Sequence, residues 1–64
     1  MKPVLLKQVK KGDVFKLRPT ESATIWVRDD YNRTDKKYEM SQYYNVGKWT
    51  MRRGETIVYV GFDF

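Results

Sequence analysis

The chain has 64 residues, 13 of them basic and 8 acidic, for a formal charge of +5. A chain this short buries only about 60% of the surface its unfolded form exposes, which leaves little room for a deep enzyme pocket. It has no cysteine and no histidine, which excludes disulfides, thiolate or imidazole metal ligands, and an imidazole base.

A positive balance favours polyanions such as nucleic acid or anionic surfaces, although many small soluble proteins carry such a charge without one. Without histidine or cysteine, Ser22, Ser41 or a threonine would need lysine as its base. The expectation is therefore a protein that is not an enzyme and uses no cofactor. No apolar run approaches the ~20 residues that span a bilayer. Val4-Leu5-Leu6 is far shorter than a signal core. We therefore expect no membrane partner. The lack of cysteine fits a reducing cytosol. The sequence starts at Met1 and reads as a small frame forming one domain over residues 1–64. Small folds need staples, so stability here is expected from aromatic packing, a partner or self-association.

In chain order, Val4, Leu5, Leu6 and Val9 suit a short strand or one face of a helical turn, and an extended entry is favoured. Lys11-Gly12-Asp13 is a turn. The first strand, Asp13 to Arg18, alternates, with Phe15 and Leu17 facing inward. Pro19 to Ser22 is a polar loop. The second strand runs from about Ala23 to Arg28. Its β-branched set, Ile25 and Val27, is the better inward face, so Trp26 and Arg28 point outward together. A charged segment follows, with its turn at Asn32 to Lys36.

The third strand runs from Lys37 to about Tyr43. One of Tyr43 and Tyr44 is expected in the core. Asn45 to Lys48 reads as a turn under which Val46 tucks. Trp49 opens a fourth strand and reads as core. Arg52-Arg53-Gly54-Glu55 is a turn, with glycine placed where positive φ is plausible; its arginines are solvated or touch phosphate. The last strand, Thr56 to Phe62, is apolar on both faces and so central, with Val58, Val60 and Phe62 inward. Phe64 is expected to close the core. The sum is an all-β domain, a small five-stranded antiparallel barrel that is SH3-like rather than OB-like.

The run Trp26-Val27-Arg28-Asp29-Asp30-Tyr31-Asn32-Arg33, then Lys36-Lys37-Tyr38, and the close Val58-Tyr59-Val60-Gly61-Phe62-Asp63-Phe64 resemble short open reading frames of small bacteriophages, microvirus-like ones among them. Their shared skeleton is V-R-x-x-Y-x-R, K-x-Y, V-x-V-x-F-x-F. That family has no assigned activity, so the resemblance carries over no functional residue. It implies a cytoplasmic protein of an infected bacterium, with nucleic acid or a host protein as partner.

Asp30, Asn32 and Thr34 imitate the start of a calcium loop. The glycine and glutamate such a loop needs at positions six and twelve are here Asp35 and Ser41, so no metal is expected. The strongest functional signal is the set Trp26, Arg28, Tyr31, Arg33, Lys36 and Lys37. Single-stranded nucleic acid is held by cations along its backbone and by rings under its bases, at about 1–3 kcal/mol per stacked base. The bland alternative is that Trp26 stacks on Arg28 or a cross-strand tyrosine and stiffens the sheet. The sequence thus supports a binding domain for nucleic acid, single-stranded favoured, with low sequence specificity. A module that docks on a host protein or forms a homodimer is the alternative.

Overall fold

The computed structural model describes residues 1–63; the expectation for Phe64 lies outside them. Its strands are β1 (Lys2–Leu5), β2 (Val14–Lys16), β3 (Ile25–Asn32), β4 (Lys37–Gln42), β5 (Asn45–Arg52) and β6 (Ile57–Val60), with one 3-10 turn at Leu6–Gln8. They form one antiparallel sheet in the order β1-β6-β2-β3-β4-β5. No ladder joins β1 to β5. The domain is therefore all-β but an open six-stranded sheet, not a closed five-stranded barrel. The extra strand is the N-terminal entry. It pairs Val4 with Val58 and then winds into the 3-10 turn, so the strand and the helical turn both form, in succession. Pro3 is tolerated because β1 is an edge. The Leu5 N–H donates to Gln8 Oε1 at 2.9 Å and holds the turn.

The core gathers Leu6, Val9, Phe15, Met40 and Val58. Val4, Leu17, Trp26, Tyr38 and Val60 pack against it, half-buried. β2 and β6 therefore face as their alternation predicts for Phe15, Leu17, Val58 and Val60, but Phe62, expected inward with them, lies beyond the end of β6 and outside that cluster. β3 does not face as predicted. Phe15 lies opposite Trp26, and Arg28 opposite Met40, so Trp26 and Arg28 belong to the core face. Ile25 and Val27 lie on the other face, beside Lys16 and Val14. A one-residue change of register exchanges the faces of a strand, and the preference for β-branched residues inside mis-assigned this one. Ile25 is still buried, while Val27 is half-buried. Lys16, opposite Ile25, is only 4% exposed. Its ammonium donates to the carbonyls of Thr20 and Glu21 at 3.2 and 3.1 Å and sits 4.7 Å from the centre of the Phe62 ring.

Two irregularities shape the hairpins. In β3 the pairing passes from Arg28–Met40 to Tyr31–Tyr38, so Asp29 and Asp30 together face the span of Glu39. This bulge shifts the alternation and returns Tyr31 to the face of Arg28. In the β4–β5 hairpin the turn is Tyr43-Tyr44, closed by the Gln42–Asn45 pair. Asn45 to Lys48 therefore belong to β5 and are not the turn. Two-residue hairpins that match strand twist need positive φ. Among non-glycine described residues only Lys36 has it. The tyrosine turn lacks it, and the register shifts before pairing resumes at Ser41–Trp49. Val46 is 79% exposed and Trp49 61%, so neither enters the core. Tyr43 and Tyr44 are also both exposed, their rings in edge contact with centroids 4.9 Å apart.

Candidate nucleic-acid interface

The β3–β4 turn presents the first group of predicted residues. Asn32 Oδ1 accepts from the Asp35 N–H at 3.0 Å, a side-chain mimic of a backbone turn. Lys36 then takes φ 55°, a left-handed conformation that costs an L-residue about 1–2 kcal/mol. Arg33 and Lys36 are exposed on this turn. Lys37 is half-buried at the start of β4, paired with Asn32. Strand alternation puts it on the face opposite Tyr38, away from Tyr31.

Behind the turn, Tyr31 and Tyr38 contact each other with centroids 4.7 Å apart. The Arg28 guanidinium lies 4.4 Å from the centre of the Tyr38 ring. This is the ring–cation stack expected as the bland role for Arg28, made with Tyr38 instead of Trp26. Arg28 Nε is buried and has no hydrogen-bond partner. Trp26 lies at the other end of β3, half-buried against the core. It lines a separate cleft of about 370 Å3 with Leu17, Arg18 and the 20–24 loop. The six predicted residues thus divide. Arg28, Tyr31, Arg33 and Lys36 gather near the turn, while Trp26 and Lys37 stand apart.

The turn group borders a cleft of about 330 Å3 that the sequence did not reveal. Tyr31, Tyr38 and Lys36 form one wall, and Lys7, Arg53 and Glu55 the other. Backbone bonds bring the second wall in: Leu6 N donates to Thr56 O at 2.8 Å, and Lys7 N to Gly54 O at 3.1 Å. Gly54 permits this approach by its size. A β-carbon there would lie 3.0 Å from Lys7 Cβ and 3.0 Å from Tyr38 Cε2. Its φ is not positive, so the glycine serves close approach and not a special turn. Three cations and one carboxylate at one opening give a local excess of positive charge. Arg53 was signalled by the Arg52-Arg53 pair. Lys7 had no local signal, because only the long-range pairing of the 3-10 turn brings it here.

A further ion pair ties the Lys10–Asp13 turn to the bulge. Lys11 Nζ lies 2.6 Å from Asp30 Oδ1. That hydrogen bond, and then the lysine charge, hold the Asp30 carboxyl below its ordinary pKa and raise that of Lys11. Both side chains are about two-thirds exposed, 67% and 69%, so water screens the pair and its stabilisation is small. Among the described residues, no cluster of three or more acidic groups could hold a metal ion. Among the described residues, no helix is long and apolar enough to cross a membrane.

Comparison with protein-family models, with curated proteins and with solved structures yields no match.

Proposed function

We propose that this chain is a non-enzymatic domain that binds single-stranded nucleic acid with low sequence specificity. One observation carries the reading. Lys7, Lys36 and Arg53 come from three separate segments and line one cleft beside the Tyr31 and Tyr38 rings. Cations that meet from distant parts of a chain repel one another, and a polyanion relieves that repulsion. The exposed Tyr31 ring beside them, backed by Tyr38, offers stacking surface to any base, which gives affinity without a sequence code.

Fluorescence anisotropy with a labelled oligothymidylate at several salt concentrations tests this. Each phosphate contact on a single strand contributes about 0.7 to the slope of log affinity against log salt. The combined change Lys7→Gln, Lys36→Gln and Arg53→Gln is expected to flatten that slope by about 2. Lys2→Gln, on the β1 strand at the opposite edge of the sheet, serves as the control and is expected to change it little. Absence of wild-type binding at low salt refutes the reading.

A second reading is a protein-interaction module, including a homodimer. It draws on the β1 edge, where Pro3, Val4, Leu5 and Ile57 line an uncharged groove with Gln8 and Ile57 is 55% exposed. Association there would be insensitive to salt, and sedimentation across the same salt series separates the two readings.

A further inference from the structure

The β4–β5 hairpin differs in composition from the rest of the chain. From Met40 through Gly54 there is no aspartate or glutamate, while Lys48, Arg52 and Arg53 all fall there. The same stretch holds the two most exposed rings among the described residues, Tyr44 at 77% and Trp49 at 61%. Trp49 stands beside Ser41, whose side chain is too short to cover an indole. β5 is also an edge, so its outward N–H and C=O groups have no strand partner. The nearest acid in register is Glu39, opposite Met51, and it accepts a hydrogen bond from Asn32 Nδ2 at 3.5 Å.

We infer that this hairpin is the base-stacking surface of the single-strand interface, with Trp49 and Tyr44 as platforms and Lys48 and Arg52 as phosphate contacts. The inference rests on the nucleic-acid reading above and adds a second surface to it. Arg52 lies opposite Tyr38 on the face of the cleft, whereas Trp49 lies opposite Ser41 on the other face, so the two surfaces meet across the β5 edge. A strand running along the β5 edge is delivered to Lys7 and Lys36 at its end. The chemistry matches this ligand better than its competitors. An acid-free edge strand with its ring on one face and Lys48 and Arg52 on the other suits a ligand whose bases and phosphates point to opposite sides. A lipid surface shares the phosphate chemistry, but it calls for an apolar tip that can sink below the headgroups. Here the tip is a pair of tyrosines in edge contact, with Val46 the one aliphatic residue between Tyr43 and Trp49.

The experiment titrates fluorescein-labelled oligothymidylate with wild type, Trp49→Ala, Tyr44→Ala, their double variant, and Lys48→Gln with Arg52→Gln. A thermal melt of each confirms folding, and Trp49→Gln or Tyr44→Ser replaces the alanine variant at the same position if that one fails. The double ring variant is expected to bind about ten- to hundredfold more weakly with its salt slope unchanged, since stacking releases no counterions. The double charge variant is expected to flatten the slope by about 1.4. Ring variants that bind within twofold of wild type overturn the inference and leave the cleft reading intact. Wild type that binds no oligonucleotide overturns both. Ring variants that lose binding to anionic phosphatidylglycerol vesicles while keeping oligonucleotide affinity overturn the inference in favour of a lipid surface.

Discussion

The two tryptophans provide the sharpest test of the fold, because sequence and structure assign them opposite roles. Trp26 packs against the cluster of Leu6, Phe15, Met40 and Val58. Trp49 is 61% exposed on an edge strand. If about 150 Å2 of Trp26 is withdrawn from water, at ~25 cal/mol per Å2 its burial is worth about 4 kcal/mol. Truncation of buried tryptophan to alanine costs about 3–5 kcal/mol. A domain of this length has a total stability of roughly 3–9 kcal/mol, so Trp26→Ala removes a large part of it. The melting temperature should fall by at least ~12 °C, taking about 4 °C per kcal/mol for a small domain. Trp49→Ala removes an exposed ring and should cost about 1 kcal/mol or less. Thermal melts followed by circular dichroism measure both. Tryptophan emission of Trp26→Phe and Trp49→Phe gives an independent check, because the indole left in the second should emit at shorter wavelength. Equal losses of stability from the two alanine variants, or a greater loss at Trp49, would refute the register that pairs Phe15 with Trp26.

Three further outcomes follow from the site. Gly54→Ala sets a β-carbon 3.0 Å from both Lys7 Cβ and Tyr38 Cε2; it should destabilise by about 1–3 kcal/mol and weaken oligonucleotide binding, and a variant matching wild type in both would contradict the close approach. Lys36→Gly relieves a left-handed lysine and should raise stability by up to ~1 kcal/mol while flattening the salt slope by about 0.7, so stability and binding should move in opposite directions. Asp30→Asn addresses the Lys11 pair, whose sign is set by the two shifts. The lowered Asp30 contributes above its ordinary pKa and loses its contribution as pH falls through the folded value; the raised Lys11 contributes below its ordinary pKa and loses it as pH rises through its own. The small melting difference from wild type should therefore be flat from about pH 5 to 9 and vanish in acid, and a difference that grows on acidification would exclude the pair.

The all-β class was legible because period-two alternation in β2 and β6 survives in the structure. Phe15 and Val58 are buried, and Leu17 and Val60 pack against them as expected. What failed was phase and closure. β3 offers two plausible inward faces, Ile25 with Val27 or Trp26 with Arg28. Local preference favours the first, but pairing with Phe15 and Met40 selects the second. The bulge at Asp29 and Asp30 has no local signature, yet it alone brings Tyr31 round to Tyr38. The site was legible only where it is local. Tyr31, Arg33 and Lys36 share one turn, whereas Lys7 and Arg53 reach the cleft through backbone bonds across the fold. Composition placed the cations and rings in the chain but could not say which of them would meet.

The exposed β5 edge requires an account of its own. An unpaired strand carrying Trp49 and Val46 is a template for aggregation, and a core with four fully buried large side chains, Leu6, Phe15, Met40 and Val58, offers little stability to offset that risk. Trp49 faces away from the core because it pairs with Ser41, whereas its neighbour Thr50 pairs with the buried Met40. The cost of exposure is contained by charge instead. Lys48 adjoins Trp49, Arg52 closes the strand, and an edge-to-edge partner of the same sequence would set these cations against one another. The same arrangement admits a polyanion, which neutralises the cations and can cover the rings. Charge on β5 therefore opposes pairing with a second copy through that edge and, on the proposed nucleic-acid reading, favours a single strand there.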